Sequence, residues 1–90
     1  MVEELYQFNA CPETEQTYSA NSCCFDKSSK IIAVACEDTV IRVFNTMEGD
    51  GSPCESEHND HKDIVHDIKF DFNSKMLVSC GADNTVRVFQ

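Results

Sequence analysis

The residues of this chain whose types could do chemistry gather mainly in its C-terminal third. His61, Ser79 and Asp83 are the side-chain types of a hydrolase triad. In such a triad the imidazole takes the hydroxyl proton and the acid orients the imidazole. The sequence lacks the Gly-x-Ser-x-Gly of a nucleophile elbow, which argues against hydrolysis. A second grouping is Cys54-x-x-x-His58-x-x-His61, with His66 beyond. It would suit a small Cys/His metal-binding protein, but structural zinc sites present paired ligands. The adjacent pair Cys23 and Cys24 would project to opposite faces of a strand. Arg42 and Arg87 each follow a short polar turn. Their expected state is a packed stem with a solvated head, the alternative being a contact with a partner. None of the three glycines lies in a phosphate-cradling loop, so no cofactor is expected.

The segments that must position these residues are short and apolar. Runs at 64–70, 76–80 and 85–89 are separated by polar clusters at 71–75 and 81–84. Strand-length runs at even spacing, with Asn, Asp, Ser and Gly between them, indicate an antiparallel all-β meander. The same pattern stands 45 positions upstream. Phe70 falls on Phe25, Asp71 on Asp26, Ser74 on Ser29, Lys75 on Lys30, Asp83 on Asp38, Arg87 on Arg42, Val88 on Val43 and Phe89 on Phe44. No gap is needed over residues 25–45. A repeat of roughly 40–45 residues is the period of a β-propeller blade.

The second unit resembles a WD40 repeat, and the resemblance extends over nearly the whole chain. Asp60-His61 stands where that family has Gly-His, and Phe89 closes the last strand where the family has Trp. The fold implied is all-β, with antiparallel four-stranded blades forming about two blades of a propeller. The family also implies a polar chain from a turn Asp to the His, then to a Ser or Thr, then to the Trp N–H. The matching residues are Asp83, His61, Ser79 and Phe89, and the chain must stop at Ser79 because Phe has no N–H. A neutral His can bridge a carboxylate and a hydroxyl, since it has one donor and one acceptor nitrogen. In the first repeat only Asp38 matches. Gln16 and Val34 occupy the His and Ser positions, so that blade is expected to rely on packing alone.

In order along the chain, 4–9 alternates polar and apolar residues like an outer strand of a preceding blade, and 10–16 reads as a loop, so residues 1–16 precede the first repeat. Repeat one covers 17–60, with strands at 17–25, 31–36 and 39–44 and an acidic loop at 46–60. Within that loop 54–57 is the only candidate outer strand. Repeat two covers 61–90. Phe44 is followed by Asn45-Thr46-Met47, which departs from the acid-then-Arg of ubiquitin-ligase-adaptor repeats.

Composition bounds the function classes. The 90 residues are 41% hydrophobic, in the range of an ordinary globular domain, and the formal charge of −9 makes nucleic acid a poor partner. The acidity serves solubility or a basic partner surface. Six cysteines are expected as free thiols in a reducing compartment, four of them in strands as small buried hydrophobes. No signal sequence or membrane-length apolar run is evident, which points to an intracellular, cytoplasmic or nuclear location.

Two repeats cannot close a ring of four to eight blades. The chain is therefore expected to be part of a larger propeller, to assemble with its own copies, or to complete a partner. The leading functional expectation is a non-catalytic protein-interaction scaffold, as WD40 family members commonly are. One alternative comes from Ser22-Cys23-Cys24-Phe25-Asp26, Cys36-Glu37-Asp38 and the following His-Lys-x-x-x-x-Asp-Ile. These are loosely similar to the prolactin regulatory element-binding family, the endoplasmic-reticulum exchange factors for a Sar-type GTPase. That family's membrane anchor and exchange loop have no match here. The other alternative is the metal-binding protein.

Overall fold

The structure, a computed structural model, describes Glu3 and residues 18–45 and 54–90, with the backbone alone at 54 and 55. The strand expected at 4–9 and the loop at 10–16 lie outside the described residues. Seven strands form: β1 Ala20–Phe25, β2 Ile31–Cys36, β3 Ile41–Asn45, β4 Cys54–His58, β5 Val65–Phe70, β6 Leu77–Gly81 and β7 Val86–Phe89. There is no helix among the described residues, hence none long and apolar enough to cross a membrane. The strands make two antiparallel meanders, β1-β2-β3-β4 and β5-β6-β7. The all-β, blade-like expectation thus holds, with one sheet of four strands and one of three.

The 45-residue repeat is carried into the register. Ala20 pairs with Cys36 and Val65 with Gly81, and each first strand bulges immediately afterwards. Ile32 pairs with Phe44 as Leu77 pairs with Phe89. Even the turns match. Ser29 and Ser74 hold φ of 62° and 59°, and Thr39 and Asn84 hold 75° and 65°. In the first turn of each sheet, the aspartate at its start caps the backbone that follows. Asp26 accepts from the amides of Lys30 and Ile31, and Asp71 from those of Lys75 and Met76. Such self-bonded Asx turns let one short polar side chain fix the reversal.

The sheets pack face to face. Ala33, Ala35 and Ile41 of the first meet Val65, Ile68 and Leu77 of the second, with Cys24, Val43, Phe70 and Phe89 around them. Small residues on β2 allow the close approach, and β2 is buried on both faces, as its unbroken apolar run suggests. Hydrogen bonds reinforce the seam. Ser22 Oγ donates to Asp67 Oδ1 at 2.6 Å and Asn21 Nδ2 to the Val65 carbonyl at 3.0 Å. Val34, Cys36 and Phe44 form a second core on the far face of the first sheet, with Tyr18 and Ile32.

The candidate outer strand at 54–57 is present as β4, which occupies 54–58 and pairs with β3, so the stretch 46–60 is not loop throughout. Its described side chains are largely exposed, so a hydrophilic strand is tolerated at this outer edge. The strand cysteines are also not uniformly buried. Cys36 is, Cys24 is half-buried, and Cys23 and Cys80 are exposed; all four are free thiols. Burial pushes the Cys24 thiol upward in pKa, which keeps it protonated and unreactive.

Candidate functional site

His61 sits in the loop before β5, Ser79 in the middle of β6 and Asp83 in the turn between β6 and β7. The structure brings all three together. His61 Nε2 lies 2.7 Å from Ser79 Oγ, and Nδ1 lies 3.1 and 3.2 Å from the two Asp83 carboxylate oxygens. An ionised carboxylate only accepts, so Nδ1 carries a hydrogen, and in the neutral ring Nε2 accepts from the Ser79 hydroxyl. Asp83 also accepts from Thr85 Oγ1 at 2.6 Å, the Lys62 amide at 2.9 Å and the Thr85 amide at 3.1 Å. The Thr85 hydroxyl and the Lys62 amide hold its carboxyl well below the usual carboxylate range, against some desolvation, with His61 assisting.

The connectivity is that of a serine hydrolase triad, yet Ser79 is 2% exposed and His61 3%. A nucleophile must reach its substrate, and this hydroxyl is spent inside the sheet interface. What the arrangement does physically is tie the β5 approach, β6 and the β6–β7 turn to one another. Phe89 lies outside this chain of bonds. Its ring is half-buried against the inter-sheet core and lies tilted by 40° to that of His58 of β4, with the centroids 5.3 Å apart. Gly81 makes the close approach feasible, since a Cβ there would stand 2.7 Å from His61 Nδ1 and 3.0 Å from the Ile64 carbonyl oxygen.

The first sheet uses the matching aspartate differently. Asp38 receives a two-pronged contact from Arg42, Nη1 to Oδ1 at 3.1 Å and Nη2 to Oδ2 at 2.7 Å. Arg42 is 3% exposed, and its Nε also faces Glu57 of β4 at 3.6 Å. The expectation of a solvated Arg42 head, and of a first sheet held by packing alone, is therefore overturned. The sequence offered no sign of Glu57 as a partner, because the pairing depends on β4. Phe44, the closing aromatic of that repeat, is 1% exposed in the second core.

Arg87 stands at the same register position on β7, opposite Ser79. Asp83 is engaged by other donors, and Arg87 Nε is buried with no hydrogen-bond partner.

The described histidines of the metal grouping are not brought together on one site. Both His61 nitrogens are occupied, His58 packs on Phe89, and His66 is exposed on β5. The Cys54 side chain lies outside the described residues. Among the described residues no group of three or more His, Cys, Asp and Glu is placed to hold a metal ion.

Comparison with known proteins agrees with the repeat. The curated relatives include Nucleoporin SEH1 of Homo sapiens and Nucleoporin SEH1-A of Xenopus laevis, each 43% identical over 30 residues, and Nucleoporin SEH1 of Danio rerio at 40% over the same length. Each match covers 33% of this chain and 8% of the relative, so the chain matches only a small part of those proteins. The family model described as WD domain, G-beta repeat matches twice, over residues 9–45 and 52–90. With two matches that together span most of its length, the two-sheet chain belongs to the WD40 repeat family.

Proposed function

We propose that this chain is a non-catalytic protein-interaction scaffold, built from repeat units 17–60 and 61–90, that acts as a segment of a larger propeller. One observation carries the reading. Ala33, Ala35 and Ile41 are fully buried beneath the second sheet, with Val43 packed beside them. Their equivalents 45 residues on are Val78, Cys80, Val86 and Val88, and all four are exposed, Val86 and Val88 at 70% and 62%. A contiguous apolar sheet face in that position marks an interaction surface. The face that covers its counterpart is a sheet of the same repeat type, and a further such sheet is the occupant proposed here.

The named relatives are nucleoporins, which directs the search for a protein partner toward that class and toward a cytoplasmic or nuclear setting. They lend nothing to the exchange-factor alternative, which rests on the short motifs around Ser22 and Cys36 alone. A photo-crosslinking residue at position 86, with one at the exposed position 66 as control, tests the reading in cells. A discrete adduct at 86 that Val88→Asp abolishes is expected, and mass spectrometry of the adduct separates a longer form of this chain from another protein. Equal or absent crosslinking at both positions would remove the support for an interaction face.

A further inference from the structure

We propose that the β1–β2 and β5–β6 turns, with the groove beside them, form a docking site for an extended segment of a partner protein that carries large apolar side chains flanked by acids. The inference rests on the scaffold reading and deepens it by giving the class of partner, and it uses a different surface from the face of Val86 and Val88. The two turns are repeat equivalents, with Phe72 standing where the first has Lys27. They are tied to each other across the seam. The Lys27 amide donates to Ser74 Oγ, and the Lys27 ammonium lies 5.8 Å from the centroid of the Phe72 ring. That distance is within the range of a cation–π attraction. The ring is nonetheless 87% exposed.

A single exposed apolar side chain is ordinary. Phe72, however, stands two residues before Ser74, which with Lys75 and Met76 lines a groove of about 230 Å³ between the sheets. Val43, Phe70 and Leu77 line it as well, so the groove reaches the inter-sheet core. An apolar side chain of the partner would enter there, and a second would cover the Phe72 ring. Because the turns are already docked on each other, little ordering is left for binding to impose.

Charge sets the rest of the pattern. Lys27 and Lys75 are exposed, whereas Asp26 and Asp71 are half-buried, with carboxylates that accept from the amides of their own turns. The lysines therefore present the more accessible charge, and acids on the partner complement it. A long acidic run would be repelled by the net charge of −9, so one acid at each end suits the site. In an extended segment alternate residues share a face, which gives acid-x-apolar-x-apolar-x-acid. Exposed aromatic and lysine side chains also suit an anionic bilayer. A bilayer surface cannot enter a groove between two sheets, and a peptide side chain can.

The test is a fluorescence-anisotropy titration of the protein, purified in the form the cell makes, with labelled Glu-Ser-Leu-Ser-Phe-Ser-Glu. Two control peptides carry Gln for both Glu, or Ala for Leu and Phe. The first peptide is expected to bind at least about threefold more tightly than the Gln control, a gap that narrows as salt is raised. It should also bind at least about fivefold more tightly than the Ala control. Phe72→Ala should weaken it by a similar factor while leaving the thermal midpoint unchanged, since the ring is exposed. Lys75→Glu should abolish the preference for Glu over Gln. Equal affinity for the Glu and Gln peptides overturns the proposal, as does binding that Phe72→Ala leaves untouched. If Phe72→Ala lowers the midpoint, the three peptides on the natural protein decide. No binding of the first peptide overturns the proposal too, and cosedimentation with phosphatidylserine-containing vesicles would then assign the patch to a bilayer. Failure here with position-86 crosslinking intact would remove this site and leave the scaffold reading standing.

Discussion

Asp38 and Asp83 occupy one position of the repeat and do different work, and their neighbours decide which. Around Asp83, Thr85 supplies a hydroxyl, His61 an imidazole N–H and Gly81 the space for the imidazole. Around Asp38 the residue matching Thr85 is Val40 and the one matching Gly81 is Cys36, so the carboxylate turns to Arg42. The shared Asp was legible in the sequence. Its partner was not, because Asp38–Arg42 and Asp83–Arg87 have identical spacing and only the first pair forms. Removing Asp38 takes the two-pronged partner from a buried guanidinium. Asp38→Ala should therefore cost about 3–5 kcal/mol, read as a lower urea midpoint. Little change would mean that the other contacts of Arg42 suffice. Gly81→Ala forces a Cβ onto the His61 ring and a carbonyl oxygen that cannot both give way. A loss of about 1–3 kcal/mol is expected, with His61 resonances shifted in NMR spectra.

At the scale of elements, periodicity located six of the described strands, and turn chemistry set their ends. The run at 64–70 loses Ile64 because its carbonyl accepts from Ala82 and its amide donates to Asp63. Thr85 is drawn into the turn by Asp83, and Thr39 is excluded by its left-handed φ of 75°. β4 was faint for a different reason. Glu is a poor strand former in general, but β4 is the outermost strand, where Glu57 keeps part of its side chain in water beside Arg42. Among the described residues Thr39 is also the one β-branched residue held in the left-handed region, where such side chains are strained. Its repeat equivalent is Asn84, a residue tolerant of that conformation. Thr39→Asn should stabilise the fold by about 0.5–1 kcal/mol even though it forfeits the 3.2 Å contact of Thr39 Oγ1 with Asn59. A calorimetric midpoint that falls instead would show the Asn59 contact to outweigh the backbone strain.

For the whole molecule, charge and local geometry predict opposite responses to acid. With a net charge of −9, protonating carboxylates relieves repulsion, which by itself would stabilise the fold. Against this stand three aspartates whose carboxyls lie below the ordinary range. Asp26 is held there, despite desolvation, by the Ile31 amide and the Ser28 hydroxyl. Asp67 is held by the Ser22 hydroxyl across the sheet seam and by the Ile68 amide, and Asp83 by Thr85 and Lys62. Each binds its proton more readily when unfolded, at about pH 3.9. Their stabilisation is complete above about pH 5 and is lost as the pH falls through the unfolded value toward the lower folded ones. Repulsion between exposed charges is screened over about 8 Å at physiological salt, whereas direct hydrogen bonds are not. The local contacts should therefore win. At 0.15 M salt the thermal midpoint is expected to stay nearly flat from pH 7 to 5 and to drop below pH 4. Asp83→Asn, which cannot titrate, should start lower at pH 7 and fall less steeply. A midpoint that rises on acidification would mean that net repulsion governs, and that the turn aspartates matter less to this fold than their hydrogen bonds suggest.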